Sequence, residues 1–258
     1  MGDVLRVSLI QTDVVWEDKR ANLNKYAAIL SHITGDCDLV VFPEMFTTGF
    51  SMRAEDLAEC IDGETITEVK KWSRNYNVAI AGSFIARAGN VCFNRGFFIE
   101  PDGSEHYYDK RHLFRMGEEG RHFVSGSEKL IVNYRGWNIC LLVCYDLRWC
   151  RNVGNEYDLL LFVANWPQSR SYAWRNLLIA RAIENAAYVC GVNRIGQDET
   201  SMVYRGDTMA IGVKGEVIAE SEPFVPQVVN VELDLSKLKS FREKFPVWKD
   251  ADEFVLKK

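Results

Sequence analysis

The chain has 258 residues, 47% of them hydrophobic, and a formal net charge of −5. That is enough chain for one large α/β domain with a substantial core. The acidic balance gives no electrostatic case for nucleic acid or an anionic membrane as partner.

The N-terminal ten residues lack a basic stretch followed by an apolar segment and a small-residue cleavage site, so no signal peptide is expected. No apolar run reaches membrane-span length. The expected address is the cytoplasm. The seven cysteines are odd in number and irregularly spaced. They suit a reducing compartment better than a disulfide framework, with Cys92, Cys140 and Cys190 as small buried hydrophobes. No Cys-x-x-Cys occurs and the four histidines make no zinc pattern with the cysteines.

No linker or low-complexity tract divides the chain, which reads as one domain over 1–258. Leu5 to Gln11 is strand-like. Asp18 is a helix N-cap, Leu23, Tyr26, Ala27, Leu30 and Ile33 follow helical spacing, and Gly35 is the expected stop. Leu39 to Phe42 is wholly apolar, as a strand covered on both faces should be. A second helix spans 65–76 with Ile66, Val69, Trp72 and Tyr76 inward. Val78 to Ala86 is a strand, and turns follow at Ala88 to Asn90, Pro101 to Gly103 and Arg135–Gly136. The last of these leads into the apolar run Trp137 to Cys144. Asp158 to Ala164 is a further buried strand, and Trp174, Leu178, Ala182 and Ala186 mark a helix. Strands are expected at 189–193, 208–213 and 216–219, with a Lys214–Gly215 turn. Alternating helices and strands with adjacent strand pairs predict a layered α/β protein with mixed sheets. Neither a dinucleotide-binding fingerprint nor a Walker sequence is present.

Three reactive side chains close strand-like runs: Glu44 after Pro43, Lys110 after Asp109, and Cys144 before Tyr145 and Asp146. Taken singly, each has a plainer reading. A cysteine in an apolar strand is usually a packing residue, and a loop Glu or Lys is usually solvated. Together a thiol, a carboxylate and an ammonium are the parts of covalent hydrolysis, because a thiol needs a base or a cation to become nucleophilic at neutral pH. A Cys–His hydrolase with His112 or His122 as base is a competing arrangement. A serine hydrolase is not, since no Gly-x-Ser-x-Gly elbow occurs.

Pro43–Glu44, the segment from Asp109 to Phe114, and the segment from Cys144 to Arg148 resemble the nitrilase superfamily of carbon–nitrogen hydrolases, in order and separation. Asn165–Trp166–Pro167, Arg181 to Asn185 and Tyr204 to Asp207 extend the likeness over nearly the whole chain. Phe42 to Phe50, His112 to Met116 and Arg242 to Pro246 look most like the bacterial omega-amidase branch, which hydrolyses the terminal amide of 2-oxoglutaramate. The resemblance implies a four-layer αββα sandwich, usually paired into homodimers, and a catalytic triad matched here by Glu44, Lys110 and Cys144. It also implies a second glutamate between the Lys and Cys motifs. Glu119 is the match, judged by its interval to Gly126, with Glu118 adjacent as the alternative.

In that scheme Glu44 is the general base, and Lys110 with the Tyr145 backbone N–H stabilises the oxyanion. Glu119 positions Lys110 or the amide. The chemistry needs neither metal nor organic cofactor. Asp146 and Arg148 read as structural supports of the nucleophile loop, joined by an ion pair or hydrogen bonds. A substrate carboxylate would call for an Arg or backbone donors. Arg194 is the candidate, with Arg170 and Arg115 as alternatives, and Phe50, Phe114 and Trp166 are the expected pocket wall. A C-terminal arm over 241–258, carrying Phe245, Trp248 and Phe254, either meets a partner subunit or covers its own core. A non-catalytic binding protein on the same fold would be expected to have lost part of the triad.

Overall fold

The computed structural model describes residues 3–33, 37–149 and 156–252. In chain order the first elements are β1 (Val4–Gln11), α1 (Lys19–His32), β2 (Leu39–Val41), α2 (Ala54–Leu57), α3 (Glu64–Tyr76), β3 (Ala79–Ala88), β4 (Val91–Ile99) and β5 (Glu105–Asp109). Then follow β6 (Ile131–Tyr134), β7 (Trp137–Val143), β8 (Leu159–Ala164), α4 (Ser171–Asn185), β9 (Tyr188–Asn193), β10 (Ile195–Gln197), β11 (Val203–Arg205), β12 (Met209–Ile211), β13 (Val217–Glu220), β14 (Gln227–Asp234) and α5 (Leu235–Lys244).

Two six-stranded sheets form, ordered β14-β1-β2-β3-β4-β5 and β13-β12-β9-β8-β7-β6. Each has a parallel centre, β1-β2-β3 in one and β7-β8-β9 in the other, flanked by antiparallel strands. Central strands covered on both faces need no polar alternation, and all six residues of β8 are buried.

The period of two along β1 to β3 sorts their side chains. Leu5, Val7, Leu9, Leu39, Val41, Ala79 and Ala81 join residues of β7, β8 and β9 in one apolar cluster between the sheets. Ile10, Val40, Ile80 and Phe84 point the other way, onto Leu23, Tyr26 and Leu30 of α1 and Ile66, Val69 and Trp72 of α3. On the second sheet α4 lays Trp174, Leu178 and Ala182 inward. Gly191 lets it approach, since a Cβ there would stand 2.5 Å from a Leu178 methyl and 2.8 Å from the Trp174 ring. The result is an αββα layering, as the sequence resemblance implies.

The Asp18 side chain caps α1 by accepting from Ala21 N at 2.9 Å. The helix ends at His32, and the Gly35 stop lies outside the described residues. Tyr76, expected inward, is 41% exposed. It occupies the last position of α3, before Asn77 turns left-handed and ends the helix. The strand β14, pairing antiparallel along the whole of β1, and the small β10-β11 pair were not expected from the sequence. The turns at Arg135–Gly136 and Lys214–Gly215 are observed, with positive φ at Arg135, Gly136 and Gly215. Cys92, Cys140 and Cys190 are buried. Among the described residues no helix is long and apolar enough to cross a membrane.

Candidate active site

The three reactive side chains converge because their strands end on the same side of the sandwich. Glu44 stands three residues beyond β2, Lys110 directly after β5, and Cys144 directly after β7. All are buried, with Glu44 and Lys110 0% exposed and Cys144 9%.

Lys110 Nζ donates to Glu44 Oε1 at 3.0 Å and to both Glu119 oxygens at 3.0 Å. Asn94, midway along β4, ties the two acids together, its Nδ2 donating to Glu44 Oε1 at 2.7 Å and Glu119 Oε1 at 3.0 Å. The other Glu44 oxygen accepts from the Asn165 backbone at 2.8 Å. Glu119 Oε2 also accepts from Phe114 N at 2.6 Å. Glu118 faces solvent and pairs with Arg121 at 2.9 Å. Gly126 permits this packing of the Lys110 segment, because a Cβ there would lie 2.1 Å from the Asp109 carbonyl oxygen.

Cys144 opens a 3-10 turn, Cys144–Arg148, with a φ of 46°. A left-handed cysteine is strained by about 1–3 kcal/mol and persists only where its surroundings hold it. Asp146 supplies that hold. Its buried carboxylate accepts from Val143 N at 3.1 Å, Tyr108 Oη at 2.8 Å, His112 N at 2.9 Å and the His112 imidazole Nδ1 at 2.7 Å. The next residue, Tyr145, lies in the first turn, where backbone N–H groups have no intrahelical acceptor.

Burial pushes the Cys144 thiol well above its ordinary value, and the negative charge of the neighbouring Glu44 carboxylate pushes the same way against the pull of Lys110. Burial alone would lower the Lys110 ammonium, but Glu119 and Glu44 outweigh it and hold the charge firmly in place. Glu119 is raised by burial, with Lys110 opposing and Glu44 reinforcing. At rest the thiol is therefore protonated, with a carboxylate beside it to take the proton.

Above Cys144 is a cavity of about 570 Å³ walled by Phe50, Phe114, Tyr145, Trp166, Met202 and Tyr204, with Arg148 and Arg170 on its lining. Phe50, Phe114 and Trp166 line this cavity. Arg194 does not. It is 0% exposed and bound to Asp13 Oδ1 at 2.8 Å, the Val14 carbonyl at 3.1 Å and the Ile195 carbonyl at 3.1 Å. Arg115 lines a separate surface groove. Arg148, expected to support the loop through Asp146, instead lies over the Trp166 ring at 5.4 Å. The imidazole of His112 is bound to Asp146 and His122 is exposed, and the charged groups acting on the thiol are Glu44, Lys110 and Glu119, not a histidine. Asn94 was missed from sequence, and Asn165 was noted only as part of a motif.

A larger open groove of about 700 Å³ lies between α1 and the β1/β14 edge. Its Cys37 thiol is raised by burial and in contact with Ser8 Oγ at 3.2 Å. Among the described residues no three His, Cys, Asp or Glu side chains are grouped to hold a metal ion.

The family model for carbon–nitrogen hydrolases matches residues 6–243. The chain belongs to the carbon–nitrogen hydrolase family. Omega-amidase YafV of Escherichia coli strain K12 is 46% identical over 255 residues, covering 98% of this chain and 98% of that protein. The 2-oxoglutaramate amidase of Bacillus subtilis is 30% identical over 251 residues, covering 95% and 96%. Among solved structures, XC1258 of Xanthomonas campestris, a CN-hydrolase superfamily protein with an arsenic adduct in its active site, superposes with a TM-score of 0.96 at 42% identity, covering 98% of this chain and 99% of that one. The carbon–nitrogen hydrolase layering of two sheets between helices is thus shared across the described fold.

Proposed function

We propose that this carbon–nitrogen hydrolase cleaves the terminal amide of a short 2-oxo dicarboxylate monoamide, 2-oxoglutaramate or 2-oxosuccinamate, to the acid and ammonia. The observation that carries the reading is a strained, buried thiol beside one carboxylate of a Lys–Glu–Glu cluster at the base of a cavity. The names of the similar E. coli and B. subtilis proteins support the substrate class.

Glu44 takes the Cys144 proton as sulfur attacks the amide carbon, because a thiol raised by burial is not ionised in advance. Charge developing on the amide oxygen is stabilised by the field of Lys110 and by the Tyr145 backbone N–H. Protonated Glu44 gives its proton to the departing nitrogen, which leaves as ammonia and a thioester remains. Glu44 then activates water, which cleaves the thioester and returns the thiol. Glu119 holds Lys110 in register through its two contacts.

We read the chain as one catalytic domain acting in the cytoplasm as a homodimer. Exposed Tyr172 and Ile183 on α4 supply apolar surface suited to a second copy. The region from 241 serves as an arm. Phe241 packs on the central cluster while Phe245 is 58% exposed, and Phe254 lies outside the described residues. Light scattering of the full chain and of a chain ending at 240 tests the dimer and the arm together.

The decisive assay is coupled ammonia detection over 2-oxo monoamides, N-carbamoyl amino acids, nitriles and aliphatic amides. The highest kcat/KM is expected for the 2-oxo monoamides, with turnover abolished in Cys144→Ala. Substantial turnover in that variant, or a maximum elsewhere in the panel, overturns the reading.

A further inference from the structure

The cavity above Cys144 carries two guanidinium groups. Arg148 ends the nucleophile turn and lies over Trp166, with Cζ 5.4 Å from the ring centroid. Arg170 ends the turn after Pro167 and lies over Phe114 at 5.0 Å. Both rings line the same cavity. Arginines elsewhere in the chain are commonly spent on acids, as Arg95 on Asp109, Arg175 on Glu220 and Arg242 on Asp158. For Arg148 and Arg170 no side-chain hydrogen bond and no ion pair is formed among the described residues. The adjoining segment 150–155 contains neither Asp nor Glu.

One acid does line the cavity, but its acceptor sites are occupied. Asp198 accepts from Thr200 N at 2.9 Å, Thr200 Oγ1 at 2.6 Å, Met202 N at 3.0 Å and Tyr204 Oη at 2.8 Å. Four donors satisfy it locally, so it does not neutralise the guanidinium groups through contact.

An arginine lying over a ring has lost part of its hydration and part of its freedom, while its edge N–H groups stay open to a planar anion. Two such groups on a wall rich in aromatic rings favour a carboxylate, which each can bind through charge-assisted hydrogen bonds. We propose that Arg148 and Arg170 form a carboxylate clamp, so that the site takes anionic amides with the amide at Cys144 and the carboxylate at the arginines. Only the identity of the reacting group rests on the amidase reading above. The clamp itself rests on the cavity.

The test uses the full chain and compares 2-oxoglutaramate with pentanamide, an uncharged amide of equal carbon count, in wild type, Arg148→Gln and Arg170→Gln. Each variant is expected to lower the ratio of kcat/KM values, charged over neutral, by about 10- to 100-fold, mainly through KM. Loss of ring packing alone would lower both substrates together and leave the ratio in place. Arg170→Lys should restore part of the ratio, and the wild-type KM for the anion should rise with ionic strength more steeply than in the Gln variants. A ratio unchanged within about threefold in both Gln variants overturns the clamp.

Binding separates the two proposals. In Cys144→Ala, calorimetry with glutarate as probe should show an affinity that drops by a similar factor when Arg148→Gln or Arg170→Gln is added. Arginine-dependent glutarate binding without hydrolysis of any 2-oxo monoamide would keep the clamp and overturn the functional reading. Hydrolysis with arginine-independent anion binding would do the reverse.

Discussion

Two cations are fully buried among the described residues, and they do opposite things. Lys110 and Arg194 are each 0% exposed. Arg194 meets one carboxylate, Asp13, whose side chain is half in solvent, plus two backbone carbonyls and the Tyr204 ring at 4.6 Å. It joins the loop after β1 to the start of β10, and its charge is matched one to one. Lys110 meets two carboxylates, Glu44 and Glu119, both 0% exposed, with a thiol beside them. That cluster holds one carboxylate more than it has cations. Burial of a cation therefore does not mark chemistry. The surplus acid does, because it sets a carboxylate without a cation of its own beside the Cys144 thiol.

The sharpest way to break this contrast is to remove the surplus. Glu44→Gln keeps the side chain's shape and loses its basicity. The expected loss is about 10²- to 10⁴-fold in kcat/KM, the usual range for a general base, measured by ammonia release. A loss under tenfold would assign the proton to another group.

Lys110→Met comes next. It strips the cation from two buried acids, which costs about 3–5 kcal/mol when one partner of a buried pair is removed, read from urea unfolding. The deficit should depend on pH with a defined sign. Glu119 already sits above its ordinary value through burial, and Lys110 opposes that rise. Without Lys110 the folded carboxyl rises further. A group with a higher pKa folded than unfolded binds its proton more tightly in the native state, so stability falls as pH rises through that range. The deficit should grow from pH 5 to pH 8. The wild type loses no Lys110 contribution over that window, because that raised ammonium releases its proton only above the ordinary lysine range. A deficit that is flat with pH would mean that Glu119 is not the acid exposed by the substitution.

Asp146→Asn tests the support of the thiol rather than its charge. Four donors converge on the Asp146 carboxylate, and an amide would turn an NH₂ toward one of them. About 1–3 kcal/mol of stability should go, with a fall in kcat of roughly tenfold as the left-handed Cys144 turn relaxes. Equal stability with reduced kcat would assign Asp146 a chemical role.

How far the sequence carried this contrast is uneven, for physical reasons. Glu44, Lys110 and Cys144 were legible because each closes an apolar run, and strand ends are where α/β proteins expose polar side chains. Asn94 was not. It sits within the hairpin strand β4, and only the period-two alternation, with Cys92, Asn94 and Gly96 on the inner register, turns it toward Glu44 and Glu119. Strand β14 was passed over although Val229 and Leu233 are buried with Val231 packed beside them, a spacing of two that the interposed Asn230 and Glu232 should have signalled. Arg194 was misplaced because spacing shows that a residue follows a buried strand but not whether its long side chain runs toward the cavity or away from it.

The smallest expected effect closes the contrast from the Arg194 side. Arg194→Lys keeps a cation within reach of Asp13 but cannot span the carbonyls of Val14 and Ile195 as the guanidinium does. Because Asp13 is half exposed, water can take up what the shorter donor set leaves unbound. The cost should be about 1 kcal/mol or a little more, one or two net hydrogen bonds, seen as a shift of a few degrees in Tm. Neither kcat nor KM for a carboxylate-bearing amide should move by more than about twofold, since Arg194 lies outside the cavity lining. A KM that rose tenfold with stability intact would return Arg194 to the substrate and erase the distinction between the two buried cations.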